Sequence, residues 1–262
     1  MKNRFFVKSS FFLAVVSLLF LLNVGFAQEA IAKTKYKSVR VMSYNVRHCS
    51  GTDDTVDIPR TAKVIRAQEP DVVAVQELDS CASRSNNEFQ LKLLAANSRM
   101  SYYYFAQAIP YDGGGYGVGI MSKEKAKSVR KVPLPGTEKR VLLMVEFEDY
   151  VLACTHFDLE ESMRMESVPI VREEMKRWNK PFILSGDWND YPDSQFLAAL
   201  KEILNIHNAA YTFPSSKPTG CIDYIATDKT FPVVCADSWV PENDHESDHR
   251  PLVTKLLIPL ND

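Results

Sequence analysis

The chain has 262 residues, 45% of them hydrophobic and 24% charged, with a formal net charge of −2. These are the proportions of a folded globular protein; they exclude a disordered or fibrous chain, and the length suits one large α/β domain or two small ones. A mildly acidic chain is also a poor general binder of polyphosphate, so wrapping of nucleic acid by bulk charge is not expected.

The N-terminus reads as an export signal: Lys2, Arg4 and Lys8, an apolar run over 11–24, then Gly25-Phe26-Ala27. The small-x-small pattern puts the mature start near Gln28. An uncleaved anchor is the rival reading, but the run is short of about 20 residues and Asn23 interrupts it. Loss of the three basic residues takes the net charge from −2 to −5, since no acid precedes Glu29. The expected organisation is a signal peptide over 1–27, an extension over 28–36 and one domain over 37–262. The product is expected to be exported, to the periplasm or beyond, as a monomer with no stable membrane insertion. Five cysteines leave at least one unpaired. Cys221 with Cys235 and Cys49 with Cys81 are both open as bridges, whereas Cys154 reads as a buried small hydrophobe.

Along the chain, a strand over 39–46 precedes a helix over 59–68 and a buried strand over 71–78. Phe89, Leu91, Leu93 and Leu94 give 88–98 a helical spacing. Short strands follow over 102–109, 117–123, 126–132, 140–148 and 150–157, with turn residues between them. A long helix over 161–178, a strand over 181–186 and a helix over 195–203 come next, then strands over 222–227, 233–239 and 251–258. Strands joined partly by helices and partly by hairpins predict a layered α/β domain with mixed sheets. The glycine-rich run Gly113 to Gly119 lacks the lysine of a phosphate loop and fits a flexible turn. Trp188 and Trp239 read as packing residues.

Six apolar strands end in polar groups: Ser43-Tyr44-Asn45, Gln76-Glu77, Thr155-His156, Gly186-Asp187-Trp188-Asn189, Ile222-Asp223-Tyr224 and Ser247-Asp248-His249. One such ending is most often a turn, and a lone His156 is most often a core histidine bonded to a backbone carbonyl. Six in one domain point to a shared rim that carries chemistry. Glu77, Asp187 and Asp248, with carbonyl oxygens of Asn45 and Asn189, are hard oxygen donors suited to Mg²⁺ or Mn²⁺. Two histidines beside such a metal can donate to phosphate oxygens, and Asp223 can hold one imidazole in its charged form.

The ordered set Asn45, Glu77, His156, Asp187-x-Asn189, Asp223 and Ser247-Asp248-His249 resembles the endonuclease/exonuclease/phosphatase superfamily over about residues 37 to 258. The resemblance implies a four-layer α/β sandwich of two mixed β-sheets with helices outside. It implies a Mg²⁺-dependent phosphoric ester hydrolase, with Mn²⁺ as a substitute, in which activated water attacks phosphorus in line. Asn45, Glu77 and Asp248 would lie at the metal. Asp187 and Asn189 would activate and place the water, and His249, partnered by Asp223, would contact the phosphate together with His156. Arg140 takes a substrate-facing place. Arg47 stands where abasic-site endonucleases carry an acid, and a guanidinium can fork onto phosphate but cannot ligate a cation. A phosphodiester is the favoured substrate and a phosphomonoester the alternative; nucleic acid is not favoured by charge. A secreted nuclease and a catalytically inactive binding module are the rival readings.

Overall fold

The computed structural model describes residues 35–207 and 210–260. The predicted signal peptide and nearly all of the extension lie outside the described residues. Lys37–Pro259 groups as one compact unit. No described helix is long and apolar enough to cross a membrane.

Two six-stranded mixed sheets make up the unit. Sheet one runs β11 (Val234–Trp239), β12 (Leu252–Pro259), β1 (Tyr36–Asn45), β2 (Val72–Ser80), β4 (Gly114–Ser122), β3 (Tyr102–Tyr111). Sheet two runs β5 (Ser128–Leu134), β6 (Arg140–Glu146), β7 (Val151–His156), β8 (Phe182–Asp187), β10 (Asp223–Asp228), β9 (Leu204–Ile206). The helices are α1 (Ile58–Ala67), α2 (Gln90–Ser98), α3 (Glu161–Met175) and α4 (Gln195–Lys201).

Side-chain alternation dictates the layering. Along β6, Val141, Leu143 and Val145 enter a core shared with Val41, Ala74 and Ile120 of sheet one. Leu142 and Met144, on the opposite face, pack with Val168 and Val171 of α3 and Leu197 of α4. Met42, Tyr44, Val73 and Val75 likewise meet Ile65 of α1 and Leu94 of α2. Three apolar layers therefore separate four structural ones, and strands buried on both faces read as continuous apolar runs. This is the expected sandwich.

In each sheet a helical crossover joins the central parallel pair: β1 to β2 through α1, and β7 to β8 through α3. Asp57 caps α1 by accepting a hydrogen bond from the Arg60 amide at 2.9 Å, and Ser194 caps α4. Parallel pairs present both C-terminal ends at one rim: Asn45, Glu77, His156 and Asp187 lie on those strands, and Arg47 and Asn189 just beyond them. Arg140 and Asp223 instead open the antiparallel strands β6 and β10, and Asp248 and His249 precede β12, so the polar groups at 223 and 247–249 begin strands rather than end them.

Two expectations change. The glycine-rich run is not a flexible turn: β4 begins at Gly114, and only Asp112 and Gly113 turn the chain. A Cβ at Gly117 would lie 2.1 Å from the Ala106 carbonyl oxygen, so glycine is needed inside the strand by the closeness of β3. The bridges are absent too, Cys49, Cys81 and Cys235 being free thiols. Cys154 is buried as expected, its sulfur 3.3 Å from Gln76 Nε2.

Candidate active site

The site is built where the two parallel pairs end. In sheet two the register is direct: Thr155 lies opposite Gly186, and His156 opposite Asp187. A Cβ at Gly186 would fall 1.9 Å from the Thr155 carbonyl oxygen, so only glycine allows β7 and β8 to approach there. In sheet one the pairing of β2 with β4 slips between Val75 and Leu78. Gln76 and Glu77 share one opposing position, and Glu77 takes a left-handed backbone with φ of 58°. Such a bulge re-aims a side chain at a strand's end.

Oδ2 of Asp187 is the hub. Asn45 Nδ2 donates to it at 3.0 Å and to Glu77 Oε1 at 2.8 Å. His156 Nε2 stands 3.5 Å and His249 Nε2 3.6 Å from the same oxygen. Ligand-type atoms of Glu77, His156 and Asp187 lie within 4.8 Å of one another, as do those of Asp187, Asp223 and His249. Residues 77, 156, 187, 223 and 249 thus converge, although they come from strands of both sheets and from the segment before β12. Ser247 fixes that segment by donating its hydroxyl to the Asn45 carbonyl at 2.8 Å.

Charge is unevenly distributed. Asp223 and Asp187 pair directly across β10 and β8, and His249 joins them with Nδ1 2.9 Å from Asp223 Oδ2. Burial alone would lower the His249 pKa, but the carboxylates of Asp223 and Asp187 prevail and raise it to about 10. Burial wins at His156, with help from the Arg140 and His249 charges, and lowers its pKa to about 4. At neutral pH the site therefore holds one imidazolium and one neutral imidazole. His156 Nδ1 has no hydrogen bond, so the carbonyl-bonded core histidine is not what the structure contains. Burial raises the Glu77 pKa, with Asp187 and Asp248 adding to the effect and the Asn45 hydrogen bond opposing it.

Asn189, left-handed at φ 52°, donates its amide to Asp187 Oδ1 and its Nδ2 to the Phe157 carbonyl, both at 2.9 Å. Its side-chain oxygen accepts no hydrogen bond from the described residues. Asn45 differs from expectation. Its Oδ1 accepts from the Arg47 backbone amide at 3.0 Å, which turns its NH₂ toward the carboxylates, so its oxygen is not offered to a metal. Asp248 lies outside both ligand clusters, though its charge acts on Glu77 and His249. Arg140 is buried beside His156, with Nη1 3.1 Å from Glu138 and Nε 3.5 Å from Asp158. Arg47 is turned to the following loop, donating to the Gly51 carbonyl at 2.9 Å and Asp54 at 2.8 Å, rather than presented as a free fork.

The sequence reading missed the staple behind this rim. Arg164 of α3 is buried and donates to Asp190 Oδ2 at 3.0 Å and to the Asp158 carbonyl at 2.9 Å, tying together the loops after β7 and β8. Its spacing with Val168 and Val171, which puts an arginine on the helix's apolar face, was the available signal.

A sequence model of the Endonuclease/Exonuclease/phosphatase family matches residues 42–249. Among solved structures, the chain is similar to an endonuclease/exonuclease/phosphatase from Bacteroides vulgatus (TM-score 0.71, 18% identity, covering 84% of this chain and 98% of that one). A Beutenbergia cavernae protein of the same description gives 0.67 at 23% identity, covering 85% and 72%. A mannosyl-6-phosphatase from Bacteroides thetaiotaomicron gives 0.65 at 20% identity, covering 83% and 99%. No curated protein matches the sequence.

Proposed function

The chain belongs to the Endonuclease/Exonuclease/phosphatase family, and on that premise we propose that it is an exported, divalent-metal-dependent phosphoesterase that prefers phosphodiesters. The observation that carries the reading is the Asp187 hub, a carboxylate faced by a charged His249, a neutral His156 and Asn45, with Glu77 beside it.

The donor set fits a hard cation. Glu77 and Asp187 are oxygen donors held close together, and burial with the neighbouring carboxylates raises the Glu77 pKa despite the Asn45 hydrogen bond and the His249 charge, an environment a bound cation would relieve. Glu77 would hold a Mg²⁺ or Mn²⁺ ion, with Asp248 at its margin. Bound there, such an ion polarises a phosphoryl oxygen and offsets its charge. The remaining work falls to the chain. Asp187 accepts the proton of the attacking water, and Asn189 turns its free side-chain oxygen to the same water. His249, kept protonated by Asp223, donates from Nε2 to an oxygen of the phosphorus as negative charge grows there. A neutral His156 protonated on Nε2, the nitrogen facing Asp187, adds a second donor. The charge of Arg140 helps keep His156 neutral.

Hydrolysis of bis(p-nitrophenyl) phosphate and p-nitrophenyl phosphate, with Mg²⁺ and then with EDTA, tests the reading. Faster diester hydrolysis that EDTA stops and Mg²⁺ restores is expected. Activity indifferent to EDTA overturns metal dependence, and hydrolysis of neither ester favours a binding module. The export proposal rests on the N-terminal pattern and is tested by whether the secreted protein begins at Gln28.

A further inference from the structure

A second polar site lies away from the catalytic rim. On the helix-facing side of sheet one, Met42, Val73, Met121 and Val253 are buried beneath α1 and α2. Two residues further along the same face of each strand, past the helix ends, stand Arg40, Asp71, Lys123 and Lys255, because side chains two apart share a face. These residues floor an open cavity of about 510 Å³. Its walls are the C-terminal ends of the two helices, contributing Arg66 of α1, Glu69 just beyond α1 and Arg99 just beyond α2. Arg40 and Asn45 are five residues apart on β1, which puts the floor roughly 17 Å from the catalytic rim.

The lining holds five cations and two carboxylates. Arg40 donates to the Gln68 carbonyl at 2.7 Å, and Lys123 pairs with Asp71 at 3.2 Å. Among the described residues, Arg66, Arg99 and Lys255 have no carboxylate partner. The two helix C-termini supply roughly half a negative charge each, which still leaves about two cations uncompensated around one cavity. Glu69 and Arg99 both take left-handed backbones, φ 48° and 62°, at helix ends where glycine is the usual residue. Lys255 is the one exposed side chain of β12.

We propose that this cavity binds a multiply charged phosphate-type anion, with Arg66, Arg99 and Lys255, none of them paired with a carboxylate, as its donors. It is a site separate from the catalytic rim and owes nothing to the metal. Like cations crowded around a water-filled space repel one another, and a compact anion removes that repulsion while accepting charge-assisted hydrogen bonds. Both free oligophosphates and phosphates borne on a polymer have this chemistry.

Calorimetric titration of the mature protein in EDTA, with pyrophosphate in one arm and long-chain polyphosphate in the other, tests the proposal. One-site binding is expected that weakens at least tenfold in the double variant Arg99→Glu/Lys255→Glu and persists in His249→Ala. Diester hydrolysis by the double variant with Mg²⁺ should match the parent. Pyrophosphate binding identifies a free anion; binding of polyphosphate alone, lost in the double variant, identifies a polymer-borne one. Absence of saturable binding in both arms overturns the proposal, as does binding that survives the double variant or vanishes in His249→Ala. Should charge reversal lower the Tm, Arg99→Gln/Lys255→Gln gives the same comparison without repulsion.

Discussion

The two sheets share one strand order: an edge hairpin, a parallel pair joined through a helix, then an antiparallel strand and a second edge. They deliver chemistry differently. Sheet two ends in undistorted register, with glycine at 186 bringing His156 opposite Asp187. Sheet one ends in a bulge that forces Glu77 into a left-handed backbone, and three more left-handed residues, Arg47, His48 and Cys49, follow Asn45. A non-glycine residue in that region costs about 1–2 kcal/mol. Sheet two carries one such residue, Asn189 just past β8; its carboxylate Asp187 is faced by two imidazoles, whereas burial raises the pKa of Glu77 in sheet one. Topology is repeated between the halves and electrostatics is not: on the proposed function, one half would serve a cation and the other an oxyanion and its protons.

The sharpest way to break this division is Glu77→Gln. Diester hydrolysis should fall to background, and the rise in Tm expected of the parent with Mg²⁺ should be missing. In EDTA the variant should be at least as stable as the parent, because an ill-tolerated buried charge has gone. A variant that keeps the Mg²⁺ effect would move the cation to the other half. Next in size is His249→Ala, expected to cost about 10²–10³ in turnover with the fold retained, since it removes one donor to developing charge. Full turnover by a folded His249→Ala protein would strip sheet two of its assigned part.

The fold was legible because strands buried on both faces announce themselves as apolar runs and because polar endings mark their C-terminal rim. His156 and Asp187, which end β7 and β8, could be read for the same reason, whereas Asp223 and His249 stand at or before the start of their strands and were found as polar clusters rather than as strand ends. What escaped was set by geometry with no sequence period. The bulge at Gln76–Glu77 adds one residue without altering composition. The orientation of the Asn45 amide depends on a backbone N–H two residues on. The β4 glycines looked like a turn because glycine favours turns, yet the closeness of β3 requires them within a strand. The three-residue β9 is too short to show alternation.

Gly186→Ala tests the relaxed register. A methyl 1.9 Å from a backbone oxygen must push the strands apart, so a loss of about 1–3 kcal/mol in unfolding free energy is expected by denaturant melts. Unchanged stability would mean that the β7–β8 pair is looser than its register implies. Glu77→Gly, by contrast, relieves backbone strain and should not destabilise.

The smallest expected effect is the most specific to the proton-bearing half. The His249 pKa lies above its ordinary 6.5, at about 10, so its pairing contributes fully to stability below 6.5. That contribution is lost as pH rises through about 10. His156 runs the other way: its neutral buried ring contributes above 6.5, and the contribution is lost as pH falls through about 4. If turnover needs the charged His249, the alkaline limb of the pH–rate profile belongs to it. Asp223→Asn removes one of the three carboxylates that raise its pKa, leaving Asp248 and Asp187, the latter 3.6 Å from the other nitrogen. The alkaline limb should then move to lower pH while the acid limb stays. An alkaline limb left in place by Asp223→Asn would show that the Asp223–His249 pair, though 2.9 Å long, does not govern the proton that matters.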